Sequence, residues 1–124
     1  EMSDRIMEIG IDVPFLSIMT PFRGTPIYKN LKMNDRILED RGWQFYNGYN
    51  VAFKPQEISP EELLRSHRNL WKRTFSFLYS MKRILRCIFK LRPGAILLSV
   101  AMNSFYMTKR MRHNYPIDMT HKTV

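Results

Sequence analysis

From Ser59 onward, apolar residues recur at steps of three and four, which is the spacing of one face of an α-helix. Ser59 can cap this helix, Pro60 suits its first position, and Glu62 can complete a capping box. These signals predict a helix that begins just after Ser59. Its apolar stripe comprises Leu63, Leu64, His67, Leu70, Trp71, Phe77, Leu78, Met81, Ile84, Leu85, Ile88 and Phe89.

The stripe is weakest over residues 74–80, where β-branched, aromatic and serine residues lower helix propensity, so an interruption is expected there. Pro93-Gly94 ends the pattern. A further helix is predicted over residues 95–112, and a short turn would make it the antiparallel partner of the helix before it.

The first third of the chain has a different pattern. Residues 13–19 are nearly all apolar and hardly alternate, which predicts a strand buried on both faces, as in a parallel sheet flanked by helices. Thr20-Pro21 ends this strand. Gly24 can take a positive φ, and Thr25 can cap a helix over residues 26–33 whose first residue is a proline.

An aromatic group follows around the Asn47-Gly48 pair, and residues 51–53 have the composition of a short strand. The aromatic side chains have two interpretations. They form a wall over a substrate pocket, or they form a satellite cluster that packs the loop onto the body, which is favoured because aromatic groups dominate core packing. The group consists of Trp43, Phe45, Tyr46 and Tyr49.

The order of strand, glycine-containing turn and helix has a chemical meaning. The first N–H groups of a helix are unpaired and point beyond the end of the strand, so the oxygen or nitrogen atoms of a ligand can bind there. The alternative is that Gly and Pro serve only to turn the chain. On composition alone, that alternative is the stronger one.

The turn and the elements after it resemble a known family, the cobalamin-binding radical SAM proteins, in their C-terminal region. The likeness includes the domain of unknown function that follows the radical SAM barrel, and it runs from about residue 11 to about residue 85. The chain departs from the family pattern at Arg23, where proline is usual, and at Gly42, where aspartate commonly precedes the tryptophan. The resemblance is carried by Thr20-Pro-Phe-Arg-Gly-Thr-Pro-Ile-Tyr28, Leu31, Arg36-Ile37, Trp43, Tyr46, Val51-Ala-Phe53, Pro55 and Ser59-Pro-Glu-Glu-Leu63.

This resemblance implies an α/β remnant plus an α-helical part. The last strand or strands of a partial (β/α) barrel, of the TIM type, would be followed by a mainly helical C-terminal domain with the antiparallel helix pair. Residues 1–35 would end the barrel, residues 36–58 would form an aromatic loop region with a short strand, and residues 59–124 would form a basic helical domain.

The resemblance also implies a site. Thr20, Pro21, Gly24 and Thr25 would line the cavity for S-adenosylmethionine and substrate, mostly through backbone contact and shape. In the whole protein the cofactors would be an iron–sulfur cluster, S-adenosylmethionine and cobalamin. The partners would be the upstream radical SAM and cobalamin-binding domains of the same polypeptide, together with a small-molecule or lipid substrate.

The cysteine count limits what this chain does alone. Radical SAM chemistry needs three cysteine thiolates for its cluster, and this chain has one cysteine. Cys87 lies on the apolar stripe and is predicted to be a small core residue, so no cofactor, metal or catalytic residue is assigned to this chain alone. The chain also begins at what looks like the tail of a helix, residues 4–8, closed by Gly10. We therefore expect it to be the C-terminal piece of a larger enzyme.

The chain has 20 Lys and Arg against 11 Asp and Glu, a net charge of +9, and the basic excess lies in residues 59–124. This surface can attract an acidic protein, nucleic acid or anionic lipid, although a simple solvated helical face is favoured. No nucleic-acid-binding signature accompanies it, which disfavours nucleic acid. Residues 95–107 are too short for a membrane span of roughly 20 residues, so packing is favoured over contact at an anionic interface.

Two functional hypotheses follow. In the first, the chain is the C-terminal portion of a cobalamin-dependent radical SAM enzyme, where it closes the barrel and shapes the cavity. In the second, it is a non-enzymatic basic helical module that binds an acidic partner, nucleic acid or a membrane surface. The single cysteine and the lack of a recognisable signal peptide indicate the cytoplasm.

Overall fold

The computed structural model describes residues 2–38, 45–90 and 92–112. In these ranges the chain forms five α-helices and no β-strand. The helical part of the predicted fold is therefore confirmed. The helices are α1 (Met2–Ile9), α2 (Pro26–Met33), α3 (Pro60–Thr74), α4 (Phe77–Lys90) and α5 (Pro93–Met111).

The strand predicted over residues 13–19 is wrong, and the structure does not show the barrel remnant in the described ranges. A strand needs a neighbour along its length to take up its N–H and C=O groups. Here the Ile18 N–H donates to the Gly48 carbonyl oxygen at 2.6 Å, but no ladder extends from this bond. Residues 13–19 are thus an irregular connection whose Phe15 and Met19 side chains are exposed.

The short strand predicted over residues 51–53 is reduced to one antiparallel bridge between Ile37 and Phe53. On either side of it, the Leu38 N–H donates to the Ala52 oxygen at 3.1 Å and the Lys54 N–H donates to the Arg36 oxygen at 2.7 Å. The prediction located the paired backbone correctly but overestimated its length.

The described residues form two compact units. The turn unit contains residues 17–38 and 45–67, and the helical unit contains residues 2–16, 68–90 and 92–112. These two units are defined by contacts between residues in the folded chain. The three domains proposed from the family resemblance are defined along the sequence and stay a prediction.

In the turn unit, the core is an apolar cluster of Ile18, Leu31, Val51 and Phe53, against which Ile37, Leu63 and Leu64 pack. Both helix starts in this unit have the predicted caps. The Thr25 hydroxyl accepts from the Tyr28 N–H at 3.3 Å. Ser59 and Glu62 form a capping box, with bonds of 3.0 Å from the Ser59 N–H to Oε2 and 3.1 Å from the Glu62 N–H to Oγ.

In the helical unit, α1 ends at Gly10, which has a φ of +88°. The Ile11 N–H reaches back to the Ile6 oxygen at 3.3 Å, which is the bond of a Schellman motif and requires the positive φ that glycine allows. Helices α3 and α4 are separated at residues 75–76, so the predicted interruption is confirmed.

Helices α4 and α5 form the predicted antiparallel pair. Arg83 contacts Asn103, and one turn later Cys87 contacts Ser99, so the residue numbers rise on one helix as they fall on the other. Helix α5 begins at Pro93, two residues before the predicted start, because proline suits the first helical position. The aromatic part of this unit's core contains Trp71, Phe75 and Tyr106, with ring centroids 4.6–6.3 Å apart.

Candidate functional site

The turn over residues 20–25 is held by short-range hydrogen bonds. The Phe22 N–H donates to the Thr20 oxygen at 3.0 Å, and the Thr25 N–H donates to the Phe22 oxygen at 3.2 Å. Both threonine hydroxyls donate hydrogen bonds to backbone carbonyl oxygens. Thr20 donates to the Ile18 oxygen at 3.2 Å, and Thr25 donates to the Phe22 oxygen at 2.6 Å. The two hydroxyls therefore fix the shape of the turn.

The four residues proposed from the sequence occupy different places in this turn. Pro21 is among the fully buried side chains, whereas Thr20 and Thr25 are half-buried. Gly24 is exposed, has a φ of +86°, and has no atom within 4 Å of the position that a Cβ would take. The turn thus has one buried anchor and an exposed stretch of backbone at which another molecule can approach closely.

Tyr46, one of the aromatic residues considered for the wall of a substrate pocket, lies beside the turn. Its ring centroid is 6.5 Å from that of Phe22 and 6.4 Å from that of Phe45. Burial raises the pKa of the Tyr46 phenol above its usual value, Tyr28 raises it further, and the nearby Arg23 guanidinium acts in the opposite direction. At neutral pH the phenol therefore keeps its proton and can donate a hydrogen bond.

The residues around Asn47-Gly48 support the packing interpretation of the aromatic group. Phe45 and Tyr46 are buried in one cluster with Ala52, and Trp43 lies outside the described residues. Gly48 has a φ of +80° and the Tyr49 N–H donates to the Asn47 side-chain oxygen at 2.9 Å, as expected of a tight turn.

The surroundings of the single cysteine do not suit a ligand of an iron–sulfur cluster. Cys87 is fully buried, its thiol lies 3.2 Å from an Asp12 carboxylate oxygen and 3.1 Å from the Ser99 hydroxyl, and burial raises its pKa. A thiol in this state is a poor metal ligand because the thiolate is the ligating form. The described residues also hold no group of three His, Cys, Asp or Glu side chains placed to bind a metal ion.

His67, the histidine that the structure describes, adds no metal site. His67 is buried, with its ring 6.2 Å from that of Tyr49, so it belongs to the packing of the turn unit. His113 and His121 lie outside the described residues.

The helical unit contains a buried polar centre that sequence reasoning missed. The basic residues within 59–124 were expected to form a solvated helical face, but Arg83 is fully buried. Its Nε donates to the Asn103 side-chain oxygen at 2.7 Å and its NH2 group donates to the Thr74 carbonyl at 2.8 Å. Burial, and to a lesser extent the neighbouring Arg86, lower its pKa to about 10, which still leaves it charged at neutral pH.

An ion pair borders this centre. Arg86 donates to Asp12 at 3.0 Å and to the Met7 carbonyl at 3.0 Å, while the Asn103 amide donates to the Asp12 carbonyl at 2.9 Å. Ser80, Arg83 and Cys87 lie on one face of α4. Their spacing is the sequence signal that would have predicted the buried polar centre.

Comparisons with known proteins return one informative relative. The chain is 32% identical over 81 residues to the bacteriochlorophyllide d C-12(1)-methyltransferase of Chlorobaculum tepidum, which covers 65% of this chain and 17% of that protein. The chain therefore spans less than one fifth of the length of that relative. No family model matches the chain, and no solved structure matches it. In the described ranges, no helix combines the length and apolar character needed to cross a membrane.

Proposed function

We propose that this chain is the C-terminal portion of a cobalamin-dependent radical SAM enzyme and that it shapes the cavity for S-adenosylmethionine and substrate. The observation that carries the proposal is the 32% identity over 81 residues to a protein named as a methyltransferase. The turn sequence from Thr20 to Tyr28, which resembles that of the radical SAM family, agrees with it.

In this proposal Thr20, Pro21, Gly24 and Thr25 act through shape. The buried ring of Pro21 anchors the turn, the hydroxyls of Thr20 and Thr25 hold its backbone, and Gly24 leaves room for close approach. A rigid wall of this kind orients a bound substrate without taking part in the bond-making steps.

The reaction we propose is methyl transfer, following the name of the relative. A bacteriochlorophyllide is a flat aromatic macrocycle, and the exposed ring of Phe22, which lies against the buried Tyr46 beside the turn, offers an apolar surface against which such a molecule packs. The macrocycle is therefore the substrate class that we would test first.

The iron–sulfur cluster does not fit this chain, because its one thiol is buried and protonated. We assign the cluster and cobalamin to the upstream radical SAM and cobalamin-binding domains of the same polypeptide. We also propose the cytoplasm as the compartment, since a reduced environment suits a free thiol and the cluster ligands.

The test uses the polypeptide encoded by the whole open reading frame that contains this chain, purified without oxygen. It is given S-adenosylmethionine and a bacteriochlorophyllide, and mass spectrometry follows the methylated product. We expect Gly24→Ala to lower kcat/KM by about tenfold, equivalent to about 1.4 kcal/mol, because the positive φ strains the alanine backbone and shifts the turn while the added methyl occupies the approach to it.

The matched control is Gly94→Ala. Gly94 is also exposed and also has open space around it, but it lies in α5 and its φ is not positive. Gly94→Ala should leave kcat/KM unchanged. Absence of a cysteine triplet upstream in the same reading frame, or methyl transfer that is equally insensitive to both substitutions, would overturn the proposal.

A further inference from the structure

The exposed side of the turn carries a cation. Arg23 lies between Phe22 and Gly24, and all three residues are exposed. Proline is usual at the position of Arg23 in the family that the turn resembles, and a proline carries no charge. The backbone hydrogen bonds that close the turn join Thr20, Phe22 and Thr25. A positive charge is therefore not a requirement of the turn itself, and its presence here points to another role.

A buried phenol lies beside this cation. The Arg23 guanidinium makes a side-chain hydrogen bond with the Tyr46 hydroxyl, and it opposes the rise in the Tyr46 pKa that burial causes. Tyr46 is only 5% exposed and packs with Phe45 and Ala52, so its hydroxyl is a fixed point beside the turn. A side chain that is already held by such a partner loses less conformational freedom when it binds a ligand. Tyr46 therefore positions the guanidinium.

An apolar surface adjoins the same phenol. The Phe22 side chain is 47% exposed, and its ring centroid is 6.5 Å from that of Tyr46. On the other side of Arg23, Gly24 leaves the backbone of the turn open to approach, with no atom within 4 Å of the position of a Cβ. Since Phe22 and Arg23 both contact Tyr46, an apolar ring and a charged group lie within the span of one ligand molecule.

The sequence around the turn is positively charged. Residues 13–34 contain no aspartate or glutamate, and their cations are Arg23, Lys29 and Lys32. Such a stretch attracts anions and disfavours a cationic ligand. A guanidinium recognises a carboxylate through two parallel hydrogen bonds. The combination of Arg23 with the exposed Phe22 ring thus suits a molecule that has a flat apolar body and a carboxylate at its edge.

We propose that Arg23 determines specificity at the turn by binding a carboxylate of the substrate while the Phe22 ring packs against its apolar body. This inference rests on the proposed function, because it concerns the substrate that the turn is proposed to orient. Arg23 makes and breaks no bond of the substrate. It selects the acid form and fixes which edge of the macrocycle faces the turn, and Tyr46 acts through Arg23 as a positioning residue.

The test compares a bacteriochlorophyllide that bears an ionised carboxylate with its methyl ester, which keeps the macrocycle but lacks the negative charge. Each is titrated into the polypeptide encoded by the whole open reading frame, without S-adenosylmethionine and at about 0.15 M salt. The fluorescence of the macrocycle gives the two dissociation constants. We expect the acid to bind about fivefold more tightly than the ester, which is the scale of an exposed ion pair with charge-assisted hydrogen bonds.

Three variants assign this preference to its residues. Arg23→Glu reverses the charge and should reverse the preference, so that the ester binds more tightly than the acid. Lys32→Glu is the matched control, because Lys32 is an exposed cation in the last turn of α2, about 10 Å along the helix axis from the turn and beyond the Debye length of about 8 Å. It should leave the preference at the wild-type value. Tyr46→Phe should weaken binding of the acid and leave binding of the ester unchanged.

The ratio of the two dissociation constants separates recognition from damage to the fold, because a damaged fold would bind both ligands less well. Equal binding of acid and ester by the wild type, no binding of either, or equal changes in Arg23→Glu and Lys32→Glu would overturn the proposal. A wild-type ratio in Tyr46→Phe would overturn the positioning role of Tyr46.

The proposed function fails or stands on a separate measurement, which is methyl transfer. Methylation without a preference for the acid would leave the proposed function standing and remove the role of Arg23. Acid-selective binding without methyl transfer would remove the proposed function and support the carboxylate site at the turn.

Discussion

At the scale of single residues, the buried guanidinium of Arg83 is the group that most needs compensating interactions. A guanidinium without a carboxylate beside it is costly to bury, and here neutral acceptors on Asn103 and Thr74 offset the cost together with the Phe75 ring, whose centre is 5.5 Å from the guanidinium carbon. The planar fork of arginine reaches these acceptors at once, and an ammonium group cannot.

We therefore expect Arg83→Lys to lower the free energy of unfolding by about 1–3 kcal/mol, since it keeps the charge but leaves a buried acceptor unpaired. Urea denaturation measures this change. The control is Arg92→Lys, because Arg92 is exposed, and it should change stability by less than about 0.5 kcal/mol. An Arg83→Lys protein as stable as the wild type would contradict the role given to the guanidinium.

Asp4 provides a pH-dependent contact in the helical unit. The Tyr79 hydroxyl donates to its carboxylate, and this bond lowers the pKa of Asp4 most; partial burial acts in the opposite direction, and Arg73 at 3.2 Å lowers it further. A carboxyl with a lowered pKa in the folded state stabilises the protein above the unfolded value of 3.8 and loses that contribution as pH falls through the folded value.

The urea midpoint should therefore fall as pH is lowered from about 5 to about 2, and Tyr79→Phe should make that fall shallower. Asp4→Asn removes the titrating group, so Tyr79→Phe should have no further effect on the pH slope in that background. If Tyr79→Phe left the slope of the wild type unchanged, the hydroxyl would not be the group that perturbs Asp4.

At the scale of elements, local signals and the antiparallel α4–α5 pair were predicted correctly, whereas strand pairing between distant backbone segments was not. The caps at Thr25 and Ser59 and the helix end at Gly10 were predicted because each joins groups within five residues of one another. The strand over residues 13–19 failed because a ladder depends on a distant partner. Likewise, the contact between the rings of Tyr46 and Phe22 joins residues far apart in sequence, so no local pattern predicted it.

Helix α4 shows the same limit for packing. Its periodicity predicted an apolar stripe, and the stripe is there, but periodicity does not say which side faces the protein. The side that is buried was decided by Asn103 and Ser99 of α5 and by Asp12, which lie on other elements.

The capping box allows a direct test at this scale. Ser59→Ala removes the hydroxyl that accepts from the Glu62 N–H, so we expect a loss of about 1 kcal/mol of unfolding free energy. Ser66→Ala is the matched control, because Ser66 is exposed within α3 and alanine is the better helix former there, so stability should stay equal or rise slightly. Equal losses in the two variants would show that the cap contributes nothing specific.

At the scale of the whole molecule, the proposed function gives this chain a shaping role and leaves the reactive groups to other domains of the polypeptide. The chain covers 17% of the length of the methyltransferase that it matches, and its only thiol is shielded by Asp12, Ser99 and complete burial.

The last prediction concerns cofactor binding by the 124-residue chain alone. After anaerobic reconstitution with iron and sulfide, it should retain no stoichiometric iron–sulfur cluster, because such a cluster needs several thiolates and Cys87 is single, buried and protonated. Iron and sulfide analysis together with the visible absorbance measures this. Cys87→Ser should retain the same small amount of iron as the wild type, since any iron that remains is bound without the thiol. A stable cluster in the wild-type chain that Cys87→Ser abolishes would show that the thiol ligates iron, and the division of labour between this chain and the upstream domains would have to be abandoned.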